Sequence, residues 1–128
     1  MADQKIVPLP DGAGQKIHNS LYQTSRETLS FTTGVTVLSF TLEAWANVTR
    51  IILEMPAFSA ANPTGTVSIE NQDGTVIYES STCSEDDTHI IAPYPSVPIV
   101  GENTIKVTLS TNPLSSGIAY LTIYLEGN

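Results

Sequence analysis

Cys83, Asp86, Asp87 and His89 are the residues whose types could support covalent chemistry: a thiol to attack, an imidazole to take its proton and a carboxylate to orient the imidazole. Their spacing argues against it. All four fall within one short polar stretch, whereas such groups are normally brought to a point by different rigid elements. The remaining histidine, His18, would need a nucleophile and an orienting acid brought near it by the fold. The run Glu85-Asp86-Asp87, with Asp73 as a further oxygen donor, has the hard ligands that calcium prefers. It lacks the spaced alternation and the central glycine of a calcium-binding loop, so the expectation is a solvated acidic loop. One cysteine and two separated histidines do not make a four-ligand zinc site. The sequence therefore predicts no catalytic residues, no metal and no cofactor.

Binding residues are a better prospect. In the last apolar stretch, Leu121, Ile123 and Leu125 alternate with Tyr120, Thr122 and Tyr124. If the first set faces a core, the second forms a stripe on the opposite face, and amphipathic tyrosines are enriched at protein interfaces. The other reading is a tyrosine pair lying flat against a neighbouring strand or the N-terminal arm. Trp45, the single tryptophan, is either a plug closing one end of the core or a platform for a sugar ring. Asn47-Val48-Thr49 matches the glycosylation triplet, but residues 1–16 lack the basic start and apolar run of a secretory signal, so the triplet is expected to be chance.

The elements that must position these residues are strands. Residues 104–110 and 119–125 alternate apolar and polar without a break, which fits an antiparallel sheet with one buried face. Residues 29–33 and 35–42 are rich in β-branched and aromatic side chains, with Gly34 as a turn or bulge between them. Residues 43–47 are expected to be a short connection, one helical turn at most. A strand over 48–55 follows, with Ile51, Leu53 and Met55 inward and Arg50, Ile52 and Glu54 outward, and Pro56 ends it. The residues 66–79 form a hairpin around Asp73-Gly74, whose glycine supplies the positive φ of a tight turn. Pro93, Pro95 and Pro98 allow an extended connection or edge strand over 90–100, but no central strand. Seven or eight strands in one short chain predict an all-β fold, a two-sheet antiparallel sandwich of jelly-roll or Greek-key type, occupying residues 17–128.

Residues 1–16 read differently. Pro8, Pro10, Gly12 and Gly14 interrupt Ile6, Val7 and Leu9, so this segment is expected to be an extended arm whose three apolar side chains lie across a partner. Five basic against thirteen acidic residues give a formal net charge of −8, which repels phosphate backbones and excludes nucleic acid as the expected partner. No apolar run is long enough for a membrane helix. Only 14% of residues are charged, so the strand faces are wetted by Ser and Thr hydroxyls and are cheap to desolvate against a partner.

A short, acidic, Ser/Thr-rich β-sandwich with an apolar-dotted arm, one cysteine and no catalytic set resembles the small decoration or cement proteins of tailed-bacteriophage capsids. The resemblance is one of design and rests on no motif. It implies a non-enzymatic protein made in the host cytoplasm and placed on the capsid exterior of the virion, where it bridges subunits of the major capsid protein, itself as a homo-oligomer (dimer or trimer). Ile6, Val7, Leu9, Tyr120 and Tyr124 are the partner-binding residues expected on that reading. Two other readings remain open: a carbohydrate-binding sandwich module, because residues 73–78 resemble a hairpin of galactose-binding-like sandwiches, and a tail-fibre or baseplate component.

Overall fold

The computed structural model describes residues 5–6, 21–59 and 61–127. Among the described residues nine strands follow one another: β1 (Lys5–Ile6), β2 (Leu21–Gln23), β3 (Glu27–Phe31), β4 (Val37–Met55), β5 (Gly65–Glu70), β6 (Val76–Glu79), β7 (Asp87–Ile91), β8 (Val97–Leu109) and β9 (Gly117–Gly127). They are hydrogen-bonded in the order β2-β9-β4-β8-β5-β6, with β3 also on β9 and both β1 and β7 on β4. Every pairing is antiparallel except that of β1 with β4. The fold is all-β, as the alternation requires.

The organising element is β4, and it corrects one expectation. Residues 43–47 are not a connection but the middle of a single 19-residue strand. Its first part, Val37 to Val48, pairs with β8, while Ala46 to Glu54 pair with β9. Ala46, Asn47 and Val48 pair with both at once, so β8 and β9 lie on opposite sides of β4. Further along, β7 occupies the side that β8 has vacated, pairing with Ile51 to Met55. The nine described strands thus form one continuous hydrogen-bonded sheet whose two halves share β4: β6-β5-β8 with its first half, and β2/β3-β9 with β7 and its second half.

The crossing point is a β-bulge. Val48 opposes Leu125 and Arg50 opposes Tyr124, leaving Thr49 as the extra residue. A bulge reverses the inward phase of a strand, and the burial follows it: Phe40, Leu42, Ala44, Ala46 and Val48 face the core before it, and Ile51, Leu53 and Met55 after it. The two halves pack face to face around one core containing Ile69, Ile105 and Val107 from one side and Phe31, Leu121 and Ile123 from the other. Contact between them is close; a Cβ at Gly65 on β5 would lie 2.9 Å from Met55 Sδ and 3.6 Å from Leu53 Cδ2 on the far half of β4.

The remaining elements follow local chemistry. Gly74 at φ +85° makes the expected turn between β5 and β6, and Asn71 Oδ1 braces it by accepting from the amides of Asp73 and Thr75 at 2.9 and 3.0 Å. Gly34 turns the chain from β3 into β4 at φ +90°. Pro98 does lie within a long strand, but along 97–103 β8 is paired only with β4; β5 joins its other side from Thr104 onward. The proline-bearing stretch keeps the edge character that a missing N–H demands. Of the arm, the backbone of Lys5 and Ile6 pairs in parallel with Thr41 and Leu42; Val7, Leu9 and His18 lie outside the described residues.

Candidate functional site

The outward face of the β9 half carries both arginines of the chain, each on a tyrosine. Tyr120 stands opposite Glu54 on β4 and Thr28 on β3. Arg26, in the turn between β2 and β3, lies over its ring at 3.6 Å from the centroid. The same guanidinium grips Glu54 with two bonds, Nη2 to Oε1 at 2.6 Å and Nε to Oε2 at 3.1 Å. The Glu54 bond pushes the Arg26 pKa above its ordinary value. One bulge away, Tyr124 opposes Arg50, whose guanidinium sits 4.5 Å from its centroid.

Between the two stacks Thr122 opposes Ile52, which in turn opposes Ile90 of β7. Ile90 is 66% exposed and Ile118, beside Tyr120 along β9, is 46% exposed. Aromatic rings and arginines around exposed aliphatic side chains are the composition of a protein-binding face. The sequence placed Tyr120 and Tyr124 outward, and the structure does so as well; it also supplies what the alternative reading required, because both rings lie against neighbours. Those neighbours are guanidiniums, which hold the rings in place while leaving both half-exposed. Arg26 was not legible as a member of this face, since it sits in a turn, and Arg50 was read as outward without a partner.

The outward face of the β8 half is of another kind. Its rows run Val37-Thr108-Thr66, Ser39-Lys106-Ser68 and Thr41-Thr104-Glu70 across β4, β8 and β5. Lys106 Nζ meets Glu70 Oε2 at 2.7 Å. Beyond these rows Trp45 opposes Val100, and both are exposed, at 52% and 67%. Trp45 is therefore not a plug: the core beneath it is closed by Ala44 and Ala46, its neighbours in the strand.

The residues first considered for catalysis are engaged elsewhere. Cys83 is buried, its Sγ 3.7 Å from the carbonyl oxygen of Ser81, and its backbone forms a two-bond bridge with Gly65. Burial raises its thiol pKa, with Ser80 opposing that in smaller measure, which disfavours the nucleophilic thiolate. His89 Nε2 lies 2.8 Å from the carbonyl oxygen of Ser84, to which it donates, and not on the thiol. In the acidic run, Glu85 Oε1 accepts from the amide of Phe58 at 3.1 Å and Asp87 Oδ1 from that of Thr88 at 2.8 Å. The Glu85 carboxylate ties the loop to the chain leaving β4, while that of Asp87 caps its own turn. Among the described residues no three His, Cys, Asp or Glu side chains converge as a metal site.

Set against solved structures, this architecture is similar to a chain in the acidic stable capsid structure of Helicobacter pylori bacteriophage KHP30, with a TM-score of 0.57 over 88% of this chain and 91% of that one, at 19% identity. The two chains share a fold. Weaker likenesses are to a family two carbohydrate esterase from Cellvibrio japonicus (TM-score 0.45, 14% identity, 85% of this chain and 34% of that one) and to carbohydrate-binding modules of the β-sandwich superfamily (0.44, 9%, 80% and 54%). No protein-family model and no curated protein matches the chain. The agreement along nearly the whole of both chains fits the sandwich expected from the sequence and makes its likeness to a phage capsid chain one of architecture.

Proposed function

We propose that this protein is a non-enzymatic decoration or cement protein, bound to the exterior of a tailed-phage capsid and bridging subunits of the major capsid protein. The observation that carries the reading is the fold shared with a phage capsid chain along almost the full length of both molecules. The Arg-Tyr face of the β9 half supports it, because it offers preorganised aromatic and guanidinium contacts at low ordering cost. Tyr120 and Tyr124 are the anchors of the contact, and Ile6, Val7 and Leu9 of the arm extend it onto a neighbouring subunit. The protein itself acts as a dimer or trimer, because repeated copies on a lattice multiply modest contacts by effective concentration.

Co-sedimentation tests this. The purified full chain, mixed with mature shells stripped of it, is expected to pellet with them at saturable stoichiometry, and a cryo-EM map of those shells is expected to show it straddling subunit boundaries. A chain that stays in the supernatant with such shells, or that turns over a hydrolase substrate, overturns the proposal.

A further inference from the structure

The middle of β4 carries a second outward patch, on the β8 half, that the capsid reading leaves unused. Trp45 stands opposite Val100. The row before it on the same face pairs Glu43 with Glu102, and the row after it pairs Pro98 with Asn47, which has Glu126 of β9 on its other side. All of these residues share one side of the sheet, because Ala44, Ala46, Ile99 and Leu125, which alternate with them, are buried in the core. Cross-strand neighbours stand about 5 Å apart and successive rows of one face about 7 Å. Three carboxylates, an indole and the apolar Val100 and Pro98 therefore occupy one patch roughly 15 Å across.

On the β9 half each outward tyrosine is covered by an arginine of the chain itself. Trp45, whose indole attracts a cation more strongly than a phenol ring does, has no arginine stacked on it among the described residues. The described cationic side chains are engaged elsewhere: Arg26 with Glu54 and Tyr120, Arg50 with Tyr124 and Lys106 with Glu70. Acidic rows on both sides of the indole, in a molecule of net charge −8, set a negative potential that draws cations and repels acidic ligands. Val100 and Pro98 offer apolar surface on which the methylene stem of a long basic side chain can lie. We propose that this patch binds an extended, arginine-bearing segment of a partner protein, its guanidinium stacked on Trp45 between the flanking carboxylates. Arginine fits better than lysine because one planar guanidinium can stack on a ring and fork to a carboxylate together. The inference does not rest on the capsid reading: the Arg-Tyr face presents guanidiniums to its partner, and this patch receives one.

Because Trp45 is the only tryptophan, its indole N–H gives a single NMR signal that reports on this patch. The full chain is titrated with a fluorescein-labelled Gly-Ser peptide carrying spaced arginines, followed by anisotropy and by amide NMR spectra at low and at physiological salt. Saturable binding is expected, weakened by salt, with shifts centred on the Trp45 indole and residues 98–102. Replacing the arginines by neutral citrulline is expected to abolish it, and replacing them by lysine to weaken it about threefold. Trp45→Ala, at an exposed position, is expected to weaken binding about fivefold with an unchanged melting temperature, and Glu102→Gln about twofold with a shallower salt dependence. Equal binding by Trp45→Ala, equal binding of the citrulline peptide, or shifts confined to the Glu85-Asp86-Asp87 loop overturns the proposal. So does a change of the indole signal in a full chain carrying Lys5→Ala and Lys16→Ala with no peptide present, which would make the arm the occupant. Self-association that is lost in Trp45→Ala, read by sedimentation velocity, also overturns it and makes the occupant a second copy. Co-sedimentation with shells reads the capsid proposal separately, so either can fail alone.

Discussion

The two halves of the sandwich share a core and a strand but present opposite kinds of surface. On the β9 half, Tyr120 and Tyr124 are clamped by Arg26 and Arg50, so the groups a protein partner would use are already fixed in place. On the β8 half the rows are Ser, Thr and one Lys106–Glu70 pair, and Trp45 stands exposed opposite Val100 with no arginine stacked on it among the described residues. The difference teaches that one low-charge chain can divide its surface chemistry between the two halves: preorganised stacks on one face, hydroxyls and one ion pair on the other.

The largest effect expected is one that ignores the difference. Leu121→Asp on β9 and Val107→Asp on β8 each put an unpaired charge at a fully buried site in the common core, at a cost of about 4 kcal/mol or more. Circular dichroism melts are expected to show the whole domain lost in both variants; loss of only half the β signal would mean that the halves fold independently.

The next variants separate the faces. Tyr124→Ala combined with Arg50→Ala is expected to lower binding to stripped shells at least tenfold while moving stability by only about 1 kcal/mol, the scale of an exposed stack. Lys106→Thr, on the other face, is expected to leave shell binding unchanged and to move stability by about 1 kcal/mol or less, the scale of a surface ion pair. Equal loss of shell binding in the two would erase the functional distinction between the faces.

Alkali probes both halves at once. Burial raises the pKa of Tyr22 on β2 and of Tyr78 on β6 above 10.0, the Cys83 charge adding to it for Tyr78, and burial raises that of Cys83 above 9.0. A group whose folded pKa is raised holds its proton more tightly when folded, so its stabilisation is whole below the unfolded value and is lost as pH rises through the folded one. The melting temperature is expected to be flat from pH 7 to about 8.5 and to fall by several degrees above about pH 10. Tyr22→Phe and Tyr78→Phe should each remove part of the fall, and a curve unchanged in both would assign it elsewhere.

The arm is expected to matter little for folding. Deleting residues 1–16 removes the two-residue pairing of β1 with β4 and should lower the melting temperature by no more than a few degrees, while weakening shell attachment clearly if Ile6, Val7 and Leu9 reach a neighbour. Collapse of the truncated chain would make the arm an integral strand of the fold.

Much of this was legible because period-two patterns survive in the chain. The inward sets of the two ends of β4, of the second half of β8 and of β9, and the Asp73-Gly74 turn, could be read directly, since each is dictated by adjacent residues. The bulge at Thr49 was visible too, as a change of phase between Phe40-Leu42 and Ile51-Leu53, but a phase break looks the same whether a strand ends or merely bulges, and it was read as a connection. Strand partners were not legible. Nothing local says that β8 and β9, consecutive in sequence, are kept apart by β4, or that Arg26 reaches Tyr120.

The length of β4 has a mechanical consequence. At about 3.3 Å per residue its 19 residues extend roughly 60 Å if straight, and hydrogen-bonded partners flank it on both sides near the bulge. A load applied to one face and resisted at the other must travel along this strand, where it meets many ladder bonds in shear together instead of peeling them one at a time. In a molecule that ties an expanding shell, β4 would be the tendon, and Thr49 the point at which it bends.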